Sequence, residues 1–178
     1  MITYITGDAT QPLGRGNKIV AHVCNDIGAW GRGFVLSLSR QWPTAEKSYR
    51  DWSASKLSDD FPPFTLGNTV FVPVERTSDS DPAQTTIWVA NMVAQHGIST
   101  GKDGMSTIRY DALEDCLQDV RMMAHDQDAS VHMPRIGCGL GGGVWSEVEP
   151  IIERKLYDIE VYVYDYSSTD SASIPWNQ

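Results

Sequence analysis

A chain of 178 residues with 41% hydrophobic content is long enough to bury roughly 70% of its unfolded surface around one core, and no second core is expected. Fourteen basic against twenty-three acidic residues leave a net charge of −9, which opposes attraction to nucleic-acid backbones and anionic membranes. A bound anion would then be held mainly by backbone amides.

Residues 1–5 alternate apolar and polar like an opening strand, which Gly7-Asp8 ends. After a turn-rich stretch, Ile19-Val20-Ala21-His22-Val23 reads as a short buried strand. It runs into Cys24-Asn25-Asp26-Ile27-Gly28-Ala29-Trp30-Gly31-Arg32-Gly33, a glycine loop. Phe34, Leu38 and Trp42 then recur at helical spacing. Pro43-Thr44 breaks that helix and starts another, with Ala45, Tyr49 and Trp52 on one face. Two β-rich runs, Thr69-Val70-Phe71-Val72-Pro73-Val74 and Ile87-Trp88-Val89-Ala90-Asn91-Met92-Val93, flank polar residues 76–84 and predict an antiparallel hairpin with a long tip. An irregular segment over 95–104 precedes the clearest helix. There Ile108, Ala112, Leu113, Cys116, Leu117, Val120, Met123 and Ala124 form an apolar stripe that reads as core packing. Gly97 and Gly101-Lys102 fall one residue short of a Walker loop, and Asp103 stands where it needs Ser or Thr.

The chain is organised around residues 131–146. A short strand passes into a loop with five glycines in the seven positions 137–143 and then meets Ser146 and Glu149, spaced as an N-cap and its capping-box partner. Glycines allow positive φ and bring bare N–H groups close to a ligand, while a helix start adds roughly half a positive charge. Strand, glycine loop and helix start together predict a cradle for phosphate or diphosphate. Gly137, Gly139 and Gly142 also match G-x-G-x-x-G, with Asp165 near the place of a ribose-binding acid. That fingerprint opens a two-unit fold, however, and too little chain follows here.

Val148, Ile151, Ile152 and Leu156 predict a last amphipathic helix, with Pro150 in its first turn, and residues 160–164 alternate as a closing strand. Residues 166–178 are expected to be a flexible polar tail. Strands alternating with helices imply a mostly parallel sheet covered on both faces, whose ligands gather where the strands' carboxyl ends form a rim. The loops starting at Cys24, Gln95 and Ile136 all follow strands, so they should share that rim. Two facing glycine loops suit something longer than one phosphate.

Cys24, Cys116 and Cys138 are odd in number and widely spaced, and the four histidines lack ligand spacing, so neither disulfide nor metal is expected. With neither a basic-then-apolar leader nor a membrane-length apolar run, a soluble, cytoplasmic monomer is expected.

Gly7-Asp8 after a first strand, His22-x-Cys24-Asn25 leading to Trp30-Gly31-x-Gly33, and Met133-Pro134-Arg135-Ile136-Gly137-Cys138-Gly139-Leu140 resemble the macrodomain family. The similarity is to the branch of terminal ADP-ribose protein glycohydrolases and ADP-ribose 1''-phosphate phosphatases, and it covers residues 2–165. It implies a three-layer α/β/α sandwich with a mixed, mostly parallel six-stranded sheet, whose cleft binds ADP-ribose. Carried over by motif position, Asp8 accepts a hydrogen bond from the adenine amino group beside Ala9, unless it is a cap or turn aspartate. Tyr164 stacks on adenine, or is a half-buried strand tyrosine. Asn25 contacts the distal ribose. Gly31, Arg32 and Gly33 wrap the diphosphate from one side, and Ile136, Gly137, Cys138, Gly139, Leu140, Gly141 and Gly142 close from the other. Trp30 either joins them or is a packing anchor; Arg135 reads equally as a phosphate partner and as half of a surface ion pair.

The glycohydrolases of this branch use a lysine on the strand matching 87–93 and an aspartate after Gly-x-Gly-Leu. Here residues 91–95 contain no lysine and Gly141 fills the aspartate's place, which closes the lysyl-adduct route. Positioned water remains, with His22, Asp26 and His96 as candidate catalytic groups; His22 reads alternatively as a core histidine. The resemblance thus implies removal of ADP-ribose from acidic side chains of modified proteins, with no cofactor. The alternatives are ADP-ribose 1''-phosphate phosphatase and non-catalytic reader.

Overall fold

The apolar runs become strands and the 3.6-period stripes become helices. The computed structural model describes residues 1–77, 84–98 and 107–166. Its strands are β1 (Ile2–Thr6), β2 (Asn17–Asn25), β3 (Thr69–Arg76), β4 (Thr86–Gln95), β5 (Ala129–Pro134) and β6 (Val161–Asp165). The helices are α1 (Val35–Gln41), α2 (Pro43–Ser53), α3 (Tyr110–Asp126) and α4 (Trp145–Lys155). Most of the expected hairpin tip (78–83), residues 99–104 of the irregular segment and the tail from 167 onward lie outside the described residues.

The strands form one six-stranded sheet in the order β1-β6-β5-β2-β4-β3. Every neighbouring pair is parallel except β3 with β4, which is the antiparallel pair that the sequence predicts. β2 lies in the middle with both faces covered, which is why it reads as a nearly unbroken apolar run: Ile19, Val20 and Ala21 are fully buried. On one face α3 and α4 bury Leu113, Leu117, Val148 and Ile152 against Ile19, Met92, Met133 and Val163. On the other face α1 and α2 bury Leu38, Trp42, Tyr49 and Trp52 against Val20, Val72 and Val89. This is the expected three-layer α/β/α arrangement.

The last helix departs from the sequence reading. α4 starts at Trp145 after an uncapped, extended Val144, so Ser146 is its second residue and forms no capping box. The reason lies upstream: Gly143 N–H closes on the Gly137 carbonyl at 2.8 Å and delivers the chain to the helix two residues early. Glu149 instead accepts a hydrogen bond from the Tyr4 hydroxyl. Pro150 is consequently the sixth residue rather than part of the first turn. It removes one i→i−4 bond, tolerable because the carbonyl left over belongs to solvent-exposed Ser146.

Parallel strands place their carboxyl ends together. Asn25, Gln95, Pro134 and Asp165 therefore end along one rim, and the loops that follow them are neighbours.

Candidate active site on the sheet rim

The loop after β2 is fastened by its own polar groups. The Asn25 side chain donates to the Ala29 carbonyl at 2.6 Å and accepts from the Ile27 and Ala29 N–H groups at 3.2 and 2.9 Å. The buried Tyr49 hydroxyl, reaching up from α2, donates within 2.6 Å of the Asn25 carbonyl and 3.0 Å of its Oδ1. Asn25 is thus mostly occupied in shaping the turn. Trp30 is 8% exposed, stands edge-on to His22 at 5.3 Å and packs on Tyr49 at 5.2 Å. Its indole N–H reaches Ser39 Oγ at 2.7 Å, and Arg50 holds its carbonyl at 3.1 Å. Trp30 is therefore a packing anchor, one of its two readings. Gly31 and Arg32 stand exposed and Gly33 half-exposed at the loop's outer end.

His22 and Asn91 are cross-strand partners on β2 and β4. His22 Nε2 lies 2.6 Å from Asn91 Oδ1, and the Asn91 amide donates to the Ala45 carbonyl at 3.1 Å. His22 is 2% exposed, and burial pushes its pKa from 6.5 down to about 4, with the Asn91 contact opposing. A sealed, neutral imidazole beneath the rim has no access to a water above it. This burial fits the core-histidine reading of His22 and not the general-base one.

Asp26 and His96 do come together. His96 Nδ1 lies 2.7 Å from Asp26 Oδ2, and the Gly97 N–H donates to Oδ1 at 2.8 Å. Burial pushes the Asp26 carboxyl up, but the Gly97 N–H and His96 outweigh it and hold the carboxyl below its ordinary value. The Asp26 N–H is itself tied to the Gln95 carbonyl at 2.9 Å, so the dyad bridges the loops after β2 and β4. With Nδ1 engaged by the carboxylate, Nε2 is left as the proton-accepting atom on a side chain that is 63% exposed.

The loop after β5 is built on close backbone approach. Gly137 takes φ +71°, a left-handed conformation that suits glycine, and a Cβ on Gly143 would stand 2.6 Å from the Gly137 carbonyl oxygen. The Gly141 carbonyl accepts the N–H groups of Thr107 and Ile108 at 3.0 and 3.2 Å, which sews this loop to the segment after β4. A Cβ on Gly141 would lie 3.3 Å from Gln95 Oε1. Gly141, at the place the resemblance gives to the glycohydrolases' aspartate, thus stands beside the Gln95 carboxamide that ends β4, a strand without lysine. Ile136 is buried beneath the loop, Cys138 is half-buried, and Gly139, Leu140 and Gly142 are exposed. Burial pushes the Cys138 thiol up to about 11, so it is no nucleophile at neutral pH.

At the β6 end, Gly7, Asp8, Ala9, Phe34, Ser37, Pro134, Tyr164 and Tyr166 line a cleft of about 90 Å³. Asp8 Oδ1 accepts the Thr10 N–H and hydroxyl, each at 2.9 Å, as in a turn-forming aspartate. Asp8, Ala9 and Tyr164 were legible from the sequence; Phe34, Ser37 and Tyr166 were not. Phe34 belongs to a helical stripe that signals only core, and Tyr166 opens a polar tail with no periodicity. Arg135 resolves to an ion pair, with Nε and Nη2 at 2.6 and 2.8 Å from the two Asp165 oxygens and the guanidinium 4.9 Å above the Trp145 ring. That bond also occupies the carboxylate considered as a ribose-binding acid. Among the described residues no His, Cys, Asp and Glu cluster could hold a metal, and no helix is long and apolar enough to cross a membrane.

From β6 to β4 the rim therefore carries a cleft, a glycine loop, a second braced loop and an Asp–His pair. No protein-family profile matches the chain. It is 32% identical over 92% of its length to mouse chromodomain-helicase-DNA-binding protein 1-like, but spans only 17% of that protein. It is 30% identical to the ADP-ribose 1''-phosphate phosphatase of Debaryomyces hansenii, covering 93% of this chain and 100% of that one. The structure of a macrodomain protein from Streptomyces coelicolor superposes with a TM-score of 0.75 at 45% identity, over 94% of this chain and 100% of that one. Full-length likeness to a curated relative and to a solved structure, on a rim carrying the family's phrases in order, places this chain in the macrodomain family.

Proposed function

We propose that this macrodomain binds ADP-ribose along the rim and hydrolyses the ester joining its distal ribose to an acidic side chain of a modified protein. In this reading the base enters the cleft at Asp8, Ala9 and Tyr164. The diphosphate lies between Gly31, Arg32 and Gly33 on one side and residues 136–142 on the other. The distal ribose then reaches the end where Asn25 shapes the turn and Asp26 holds His96. The observation that carries the reading is that dyad. It supplies an oriented base at the far end of the rim from the cleft, where the lysyl route is closed because residues 91–95 contain no lysine and Gly141 fills the aspartate's place.

A water molecule aligned by His96 Nε2 attacks C1'', the bond from C1'' to the carboxyl oxygen breaks, and the side chain leaves as a carboxylate. The water's proton passes to Nε2 and from there to solvent. Positioned general-base catalysis contributes roughly 10²–10⁴ in rate. A second reading, phosphate removal from ADP-ribose 1''-phosphate, is favoured by the likeness to the Debaryomyces phosphatase.

The test is incubation with glutamate-linked ADP-ribosyl protein and, separately, with ADP-ribose 1''-phosphate, following free ADP-ribose. We expect release from the modified protein, reduced about 100-fold in His96→Ala and in Asp26→Asn, with ADP-ribose affinity retained. Release only from the phosphate ester would select the phosphatase. Tight binding with no release from either would make the protein a reader.

A further inference from the structure

The base cleft has a feature that stacking does not require. Tyr164, which contributes its ring to the cleft, is 4% exposed, and its hydroxyl is buried in a chain of hydrogen bonds. The Leu13 N–H donates to the Tyr164 oxygen at 3.0 Å. That oxygen lies 2.9 Å from His132 Nδ1, and His132 Nε2 lies 2.8 Å from Ser130 Oγ. His132 is fully buried on β5, with its ring stacked on Tyr162 at 4.9 Å. A phenol oxygen can accept the Leu13 N–H and still share a second hydrogen bond with Nδ1, whichever imidazole nitrogen carries the hydrogen. The four groups form one connected run of hydrogen bonds: Leu13, Tyr164, His132, Ser130.

What this chain holds is the segment that carries Asp8 and Ala9. Between Gln11, whose N–H bonds the Asp8 carbonyl, and Gly16, whose carbonyl takes the Lys18 ammonium, the Leu13 bond to Tyr164 ties the segment to the sheet. The Leu13 side chain is 55% exposed and supplies little apolar anchoring in its place. We propose that Tyr164 and His132 form a bolt that fixes residues 8–16 as the lip of the cleft, making the Tyr164 hydroxyl and His132 positioning residues for recognition of the ligand's base. The proposal rests on the cleft being the base subsite, as proposed above.

Tyr164→Phe separates the bolt from a stacking role, since it keeps the ring and removes one oxygen. Hydrogen–deuterium exchange would read the Leu13 amide, and calorimetry or NMR titration would read affinity for ADP-ribose and for ribose 5-phosphate, which lacks the base. We expect Leu13 exchange to quicken at least about tenfold and ADP-ribose affinity to fall about tenfold, the size of one lost hydrogen bond, with ribose 5-phosphate unaffected. Wild-type affinity in Tyr164→Phe, or an unchanged Leu13 amide, overturns the bolt, as does equal weakening of both ligands. If the wild-type protein bound no ADP-ribose, the functional reading would fall, and Leu13 exchange alone would still confirm or refute the tether.

Discussion

Gly143→Ala is the sharpest probe of the central loop. The new methyl carbon would sit 2.6 Å from the Gly137 carbonyl oxygen and 3.2 Å from both the Gly137 carbonyl carbon and Ile108 Cγ2. Ordinary contact begins at 3.4 Å, so the loop must open by about 0.8 Å, and the obstructing atom is backbone that cannot rotate away. Opening it stretches the 2.8 Å bond from Gly143 N–H to that same carbonyl. Overpacking of this kind costs roughly 1–3 kcal/mol and the lost hydrogen bond about 1 kcal/mol more. For a domain of this size that lowers the melting temperature by roughly 5–15 °C. Gly139→Ala is the control: no heavy atom lies within 4 Å of its Cβ position and its φ is not positive, so stability should change by less than about 0.5 kcal/mol. Thermal denaturation of the two variants, followed by ADP-ribose titration of Gly143→Ala, reads both effects. Equal melting temperatures in the two variants would refute the closed loop described here. So would a Gly143→Ala protein that melts within about 1 °C of wild type.

Acid should destabilise the protein through its buried histidines. His22 and His132 are both pushed from 6.5 to about 4, chiefly by burial. Between those values the unfolded chain takes up protons that the native state does not, so the contribution is intact above pH 6.5 and shrinks as pH falls, by about 3 kcal/mol for each histidine near pH 4. Urea midpoints across this window, with NMR of the assigned His22 and His132 imidazole C–H signals, check it; either of these two titrating near 6.5 in the native protein would contradict its burial. Arg135→Ala should leave ADP-ribose affinity within about twofold and cost no more than about 1 kcal/mol, because its exposed guanidinium serves Asp165. A tenfold loss of affinity, measured by calorimetry, would return Arg135 to the phosphate.

Most of the architecture was legible because burial writes periodicity into a chain. Ile19, Val20 and Ala21 spell a central strand, and the 108–124 stripe spells a helix packed on it. The rim followed from connectivity, since loops leaving parallel strands must neighbour one another. What stayed hidden was the choice of partner for each polar group, which depends on residues far away in sequence. Asn25 spends its amide on its own turn and on Tyr49, twenty-four residues on; Arg135 finds Asp165, thirty residues on. Ser146 and Glu149 have the spacing of a capping box, yet a single hydrogen bond from Gly143 to Gly137 moved the helix start and made the spacing meaningless. His22 and Asp26 looked alike as candidates. Their difference is one of depth, because one ends inside the sheet and the other beyond it.

The same pattern explains how so acidic a chain can offer a seat to an anion. Three arginines near the rim are turned toward the protein's own oxygens: Arg50 toward Glu46 and the Trp30 carbonyl, Arg109 toward the Thr107 and Ile108 carbonyls, Arg135 toward Asp165. Each holds an acceptor, and two of the three hold loop carbonyls directly. The peptide unit whose Trp30 carbonyl Arg50 holds has its Gly31 N–H directed the opposite way, so the cation behind this loop biases that amide hydrogen outward. At the proposed diphosphate site, part of the positive potential then comes from this oriented dipole, beside the exposed Arg32. A mobile lysine on the rim would be drawn instead to the surrounding carboxylates.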